Sequence, residues 1–341
     1  MHIRLARYID ADDIIKFIND NWKENHILAR NRKLFLYEFR NGDALNFAIA
    51  KNNGHIIGIF GFLKYSNGIK PDIAGSIWTI LKSENIPMLG LRIREFAINN
   101  TPHRMFVAPG AGVRTQSIYE LLRMNWHKMN HFFILNKNIN NYKICSVDNK
   151  SHKENILVNN RVVDLFESNI VIKSIKDSNK ALNYNFNKNK KFYPFKDREY
   201  FIKRFIDYPF FSYDIYGAYL KDKVVGLCVC RSVEALGRKA YRIVDFYGDE
   251  NLLIHFSKYL RNFIIENIYE YLDFVCYGFN DKNLLNSGFN RLKMDESDVV
   301  IPSHFSPFQR ENVQIYAVSD KANNLRVRIC KADGDQDRPN L

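Results

Sequence analysis

Residues 72–135, DIAGSIWTILKSENIPMLGLRIREFAINNTPHRMFVAPGAGVRTQSIYELLRMNWHKMNHFFIL, parse as strand, loop, helix, strand, helix, strand, and the reading of the whole chain rests on them. Residues 73–81 are β-branched and aromatic, and the polar segment 82–87 with its proline ends that strand. Leu89, Ile93, Phe96 and Ala97 recur at helical spacing, with Asn99, Asn100 and Pro102 as the stop signal. Residues 104–108 read as a short buried strand turned by Pro109-Gly110. Residues 115–124 read as a second helix carrying Ile118, Leu121 and Leu122, and residues 131–135 as the strand that closes the unit. A helix opening directly off a strand points unpaired N–H groups and a positive dipole end into the turn, which favours an anion. The candidate donors are Met88, Leu89, Gly90 and Leu91, flanked by Asn85 and Arg92, and Gly90 lets a ligand approach the main chain. An ordinary strand-to-helix turn is the competing reading.

Working outward, residues 3–8 read as a strand and Asp10 as the cap of a helix holding Ile14, Ile15, Phe17 and Ile18. Residues 32–39 form a basic helical piece, and residues 45–50 and 55–64 a hairpin around Asn52-Asn53-Gly54. Residues 137–191 are polar and asparagine-rich, with possible strands or a short helix at 158–166 and 170–175. The second half repeats the plan: a helix at 197–208, strands at 213–220, 224–232 and 240–246, a helix at 251–267, a strand at 271–277, a helix at 280–289 and a strand at 314–318. The expected fold is α/β (α+β), two tandem domains with mixed, mostly antiparallel sheets flanked by helices. Their bounds are 1–136 and 192–341, with 137–191 as the connecting segment.

At 341 residues the chain suits two domains of about 150–170 residues each. It shows no apolar run of signal-peptide or membrane-span form, so a cytoplasmic protein without a membrane partner is expected. The five cysteines lack a C-x-x-C pair or a compact cluster with histidines and read as reduced core thiols, with no metal expected. A net charge of +13 points to acidic partners such as phosphates or nucleotides, although lysine-rich composition on a solvated surface accounts for part of it.

The element order of residues 1–136 and the run Ser117-Ile118-Tyr119-Glu120-Leu121-Leu122 resemble the core of the GNAT acyl-CoA transferases. In that family the first turn cradles the coenzyme A pyrophosphate and a tyrosine on the next helix faces the thioester sulfur. Tyr119 matches that tyrosine. The family's R/Q-x-x-G-x-G/A turn corresponds to Asn85-Ile86-Pro87-Met88-Leu89-Gly90, with one glycine, and its Gly-Phe after the tyrosine to Arg123-Met124. The resemblance implies that coenzyme A is the cofactor, held by Asn85, Met88, Leu89, Gly90, Leu91 and Arg92, with Trp78 and Ile80 offering backbone to its pantetheine arm. In the second half Asp249 and Glu250 occupy the phosphate turn and Leu284 the tyrosine position, so only the first half is expected to bind coenzyme.

The double arrangement resembles FemAB-like transferases. The phrases Trp22-Lys23-Glu24-Asn25-His26-Ile27-Leu28, Leu34-Phe35-Leu36-Tyr37 and Lys331-Ala332-Asp333-Gly334-Asp335-Gln336-Asp337-Arg338-Pro339-Asn340 resemble bacterial N-acyltransferases of nucleotide-linked dideoxy amino sugars. That implies an acyl-CoA donor, a dTDP- or UDP-amino sugar acceptor, and an amide product for O-antigen lipopolysaccharide, with no nucleic-acid partner; a monomer is compatible with the sequence. An aminoacyl-tRNA-dependent FemX-like transferase and a non-catalytic pair binding nucleotide or RNA are the alternatives.

Amide formation from a thioester needs a neutral amine beside the carbonyl and a group that steadies the departing thiolate. His26 is the first candidate for base or amine-binding residue and Asp245 the second, with loop capping by His26 and an Asp245–Arg242 ion pair as the competing readings. Tyr119 would donate a hydrogen bond to the sulfur, since a phenol near ~10 protonates a thiolate near ~8.5 only uphill. Tyr213, Arg242, Asp335 and Arg338 are the candidate acceptor-binding residues, the last two on a tail expected to fold back into the cleft between domains.

Overall fold

The computed structural model describes residues 1–81, 83, 86–148, 154, 156–157, 169–295, 298–320 and 326–339. Strands β1 (His2–Arg7), β2 (Ala44–Asn52), β3 (His55–Lys64), β4 (Ile73–Ile80), β5 (Phe106–Pro109) and β6 (Asn125–Lys128) alternate with helices α1 (Ala11–Asn21), α2 (Ile27–Arg30), α3 (Arg32–Phe39), α4 (Leu89–Asn100) and α5 (Gln116–Leu121). The order recurs after β7 (Asn130–Leu135), as β8 (Ile170–Ser174), α6 (Arg198–Phe201), β9 (Asp214–Leu220), β10 (Lys223–Ala235), β11 (Arg238–Tyr247), α7 (Leu253–Glu266), β12 (Tyr269–Tyr277), α8 (Asp281–Asn286) and β13 (Asn290–Arg291). Strands β14 (Tyr316–Ser319) and β15 (Ile329–Cys330) follow.

Local chemistry sets several of these elements. Asn53 and Gly54 both take positive φ, the primed turn that joins β2 to β3 without splaying them. Leu89, Ile93 and Ala97 form the buried stripe of α4. Asp10 precedes α1 but does not cap it; its carboxylate accepts from the Arg7 amide and pairs with Arg4. Helix α5 stops at Leu121, whose side chain is exposed, and Tyr119 is its buried residue.

Among the described residues the strands form two eight-stranded sheets, in the orders β1-β2-β3-β4-β5-β14-β6, with Arg40–Asn41 pairing β2, and β8-β9-β10-β11-β12-β7-β13, with β15 pairing β12. Two placements differ from the sequence expectation. The strand at 131–135 does not close the first unit; as β7 it lies between β12 and β13 of the second sheet. Reciprocally β14, expected in the second unit, lies between β5 and β6 of the first. Each half therefore completes the other, and neither 1–136 nor 192–341 encloses a whole sheet. Phe132, Phe133, Ile134 and Leu135 of β7 are all buried; at about 1.5–3 kcal/mol per such side chain, an upper estimate, they contribute on the order of 10 kcal/mol to holding the halves together. Residues 170–174, placed in the connecting segment from sequence, form β8, the edge strand of the second sheet. The possible element at 158–166 lies outside the described residues.

In each sheet the β4/β5 and β11/β12 pairs are parallel. The first pairs only through Ile73↔Phe106 and Ala74↔Val107, so beyond Ala74 the strands part in a V. Both leading strands bulge where the V opens: Ser76 and Ile77 lie opposite the single residue Gly61, and Val244 is the extra residue between Ile243 and Asp245.

Candidate functional site

The bulge breaks the alternation of β4 at Ser76 and Ile77, and the splay leaves Ser76–Ile80 without a strand partner on the β5 side among the described residues. One arm of this V meets the start of α4. Met88 takes a left-handed conformation there, and the amides of Gly90 and Leu91 are first-turn donors. Trp78 closes over them: its indole Nε1–H donates to the Gly90 carbonyl at 3.1 Å, and a Cβ at Gly90 would lie 3.2 Å from that nitrogen. Ile80 ends β4 opposite Gly58, Leu89 is buried beneath the helix, and Arg92 is exposed one turn on. Asn85 lies outside the described residues. Across the V the Tyr119 ring packs edge-on against Trp78 at 6.1 Å, and burial raises its phenol while the Arg94 charge opposes that rise. The Tyr119 hydroxyl has no hydrogen-bond partner among the described residues.

On the other face of β4 the chain's tail arrives. Gly334 passes so close to β5 that a Cβ there would lie 2.6 Å from the Pro109 carbonyl oxygen. Ser76 Oγ donates to Asp335 Oδ1 at 3.3 Å. Asp335, Ser76, Ile77, His26, Glu38, Tyr208 and Arg338 surround a cavity of about 20 Å³, room for one water. Arg338 donates to Glu38 Oε1 (3.2 Å) and to the Gly334 carbonyl (2.7 Å), and Tyr208 donates to the same Glu38 oxygen (2.8 Å). Burial would raise Glu38, but Arg338 and Arg204 hold it below the usual carboxylate range, so it is anionic. Burial pushes Asp335 upward, with Arg338 opposing. The two acids thus have opposite tasks available: a fixed negative charge and a proton acceptor.

His26 lines this cavity, but its Nδ1 accepts the Leu28 amide at 3.2 Å as the cap of α2 and its ring packs on Trp22. With that lone pair engaged, a neutral ring carries its proton on Nε2. The corner shares Glu38, Tyr208 and Arg338 with a larger cavity of about 750 Å³ between the two halves.

The second V is differently filled. Strand β15 pairs with β12 at Cys276 and Tyr277, and residues 329–333 run into the splay as buried backbone. Asp245 sits at the bulge with its carboxylate on Lys196, which also donates to Asp333 at 2.9 Å. Burial works against the Lys196 charge, but Asp245 and Asp333 hold it well above the usual lysine range. Asp245 is therefore a buried ion-pair residue away from the corner, and its partner is Lys196 rather than Arg242. Arg242 is itself buried, bound to Asp273 (2.8 and 3.2 Å) and the Ser303 carbonyl. The Tyr213 hydroxyl is enclosed by Arg204 and Asp337. Asp249 caps the following turn through the Asn251 amide, and Glu250 accepts the Asn280 amide at 2.7 Å.

No protein-family profile matches the chain, and no curated protein matches it. Solved structures do. A GCN5-related N-acetyltransferase from Anabaena variabilis superposes with a TM-score of 0.55 at 10% identity, over 93% of this chain and 72% of that one. A conserved protein of unknown function from Enterococcus faecalis, described as a probable N-acyltransferase, gives 0.56 at 7% identity over 94% and 72%. The chain folds as two GNAT-like domains in tandem.

In the first GNAT-like domain the structure brings together Trp78, Gly90 and Tyr119 at the V, and His26, Asp335 and Arg338 at the corner. Sequence reasoning missed Ser76, Glu38 and Tyr208. Two of these left a trace: Ser76 is one of two hydroxyl residues in an otherwise apolar strand, and Glu38 is an acid inside the apolar run 34–39. Tyr208 left none, because its role depends on the segment after α6, residues 203–208, packing against α3 from the other half of the chain.

Proposed function

We propose that this protein is an acyl-CoA-dependent N-acyltransferase whose donor site is the V of the first GNAT-like domain. The observation that carries the reading is the asymmetry of the two Vs: the first keeps unpaired β4 backbone, a helix start and a tyrosine, whereas residues 329–333 fill the second. Gly90 and Leu91 would hold the pyrophosphate, and Trp78 and Ile80 would offer backbone to the pantetheine arm. When bound, the coenzyme supplies an activated acyl thioester. The acceptor amine enters through the larger cavity and meets the carbonyl beside Ser76. Asp335 accepts the proton lost as the C–N bond forms, Glu38 and Arg338 fix the charge around it, and the Tyr119 hydroxyl donates to the sulfur as the C–S bond breaks.

For the acceptor, the resemblance noted above favours a dTDP- or UDP-linked dideoxy amino sugar, an intermediate of surface polysaccharide such as O-antigen. The cavity of about 750 Å³ meeting the corner is in the size range of small-molecule sites. Among the described residues no helix is long and apolar enough to cross a membrane. Thiol release from acetyl-CoA and longer acyl-CoAs, measured against a panel of dTDP- and UDP-amino sugars, tests the reading. Amide product with one member of the panel is expected; no transfer to any amine, with coenzyme bound, would overturn it.

A further inference from the structure

The larger cavity is lined by α3 and the ends of β2 and β3 on one side and by α6 and the turn after it on the other. Two of its polar groups have no hydrogen-bond partner among the described residues. Asn46 and Ser66 are more than nine-tenths buried, and neither side chain makes a hydrogen bond to a described residue. Beside them stand Lys64, which closes β3, and Lys203, in the turn that continues α6.

Lys64 is half-buried and has no carboxylate partner among the described residues; burial lowers its pKa. Lys203 reaches solvent and donates weakly to the Glu38 carbonyl at 3.4 Å; burial lowers its pKa too, Glu38 opposes that, and Arg338 and Lys64 add repulsion. Two ammonium groups on the wall of one cavity, beside unsatisfied neutral donors, gain from an anion placed between them. Among the other cations of the cavity, Arg204 is bound to Asp337 and Arg338 to Glu38, and Arg40 donates to the Gly42 carbonyl beside the Tyr8 ring. Of the carboxylates lining it, Glu38 is bound to Arg338 and Tyr208, while Glu199 and Asp207 are exposed.

We infer that Lys64 and Lys203, with Asn46 and Ser66, form an anion subsite that takes the diphosphate of a nucleoside-diphosphate-linked acceptor. This deepens the acyltransfer reading and rests on it for the word acceptor, but the subsite itself stands on the cavity. It also fixes a polarity: the diphosphate lies at the β3 end of the cavity, and the reacting amine points past Tyr208 to the Glu38–Arg338 corner. Tyr37, half-buried on the same wall, lies within 5.5 Å of the Lys203 ammonium and offers a ring edge to whatever the diphosphate carries.

Calorimetric titration tests this on the full chain, with coenzyme A at saturation so that pyrophosphate does not report the first V. Inorganic pyrophosphate, UDP and dTDP are each titrated into wild type, Lys64→Met/Lys203→Met and Lys64→Arg/Lys203→Arg. The expected result is binding to wild type, weakened at least tenfold in the methionine pair and restored within threefold in the arginine pair, with unchanged coenzyme affinity and melting temperature. Equal affinity for pyrophosphate and nucleoside diphosphates assigns the subsite to phosphate alone, and tighter nucleoside diphosphates extend it to the base. Wild type that binds none of the three, or a methionine pair that binds like wild type, overturns the inference. Lysine-dependent pyrophosphate binding without any acyl transfer would leave the subsite standing and remove the transferase reading.

Discussion

Asp335 Oδ1 accepts a hydrogen bond from Ser76 Oγ at 3.3 Å, across 259 positions of sequence. The contact puts a carboxylate from the tail on the bulge of the central strand, in a corner whose other acid is already committed to Arg338. Because burial raises Asp335, its base form is reached only above the normal carboxylate range. Acyl transfer by Asp335→Asn should fall by about 10²–10⁴-fold with coenzyme affinity unchanged. In wild type kcat/KM should rise with pH as Asp335 ionises, and that limb should vanish in Asp335→Asn. Retention of the limb would assign the proton to another group.

Tyr119→Phe should lower kcat about tenfold or more and leave coenzyme affinity alone, since the donated hydrogen bond strengthens only as the sulfur acquires charge. The measurement needs acyl transfer to be rate-limiting, shown by a single-turnover rate equal to kcat. Wild-type kcat under that condition returns Tyr119 to a packing role against Trp78.

Coenzyme A should bind with a stoichiometry of one. Asp249→Asn and Glu250→Gln should leave that number and the affinity unchanged, because buried backbone of residues 329–333 fills the second V whatever charge stands at its mouth. Gly90→Val should weaken binding, since Trp78 leaves no room for its side chain. A second site of comparable affinity, seen by calorimetry, would contradict the asymmetry.

Removing residues 333–341 does not isolate an acceptor contact, because it also strips Lys196, Arg204 and Arg231 of Asp333 and Asp337. The truncated chain should lose cooperative unfolding or melt far below wild type. Asp337→Asn alone should cost about 3–5 kcal/mol in denaturant unfolding, the usual penalty for breaking a buried ion pair from one side. Arg338→Ala is the sharper probe of the acceptor and should raise its KM while coenzyme affinity persists.

Lys196→Met should be similarly costly, about 3–5 kcal/mol at pH 7.5, and less so at pH 5. The sign follows from linkage. Burial already holds Asp333 above its unfolded value, and without the ammonium nothing opposes that rise. The folded state then favours protonation, and stability is lost as pH rises through the raised value. Melting temperatures at the two pH values check this; a variant no less stable at pH 7.5 than at pH 5 would contradict it.

What was legible in the sequence was what local chemistry encodes. The Asn53-Gly54 hairpin, the apolar stripe of α4 and the strand-helix order of each half are written in turn residues and periodicity, and together they sufficed for the fold class. His26, Asp335 and Arg338 could be singled out, and they meet in one corner. The division of roles among them could not be read, because it depends on which lone pair caps α2 and which acid Arg338 reaches. Asp245 misled for the same reason: a lone aspartate on a strand does not announce a lysine 49 positions away. Strands β7 and β14 are apolar strands in either sheet, and their pairing is a long-range choice with no local mark.

That exchange has a consequence for how the chain is made. The Phe106 amide of β5 bonds to the Asp320 carboxylate, 214 residues later, and β14 just before it separates β5 from β6. The ribosome releases β5 long before either partner exists; at roughly 5–20 residues per second the wait is about 10–40 s. Until then the nascent amino-terminal half exposes an unpaired strand edge, and nascent-chain length, more than any property of that half alone, sets when it can close.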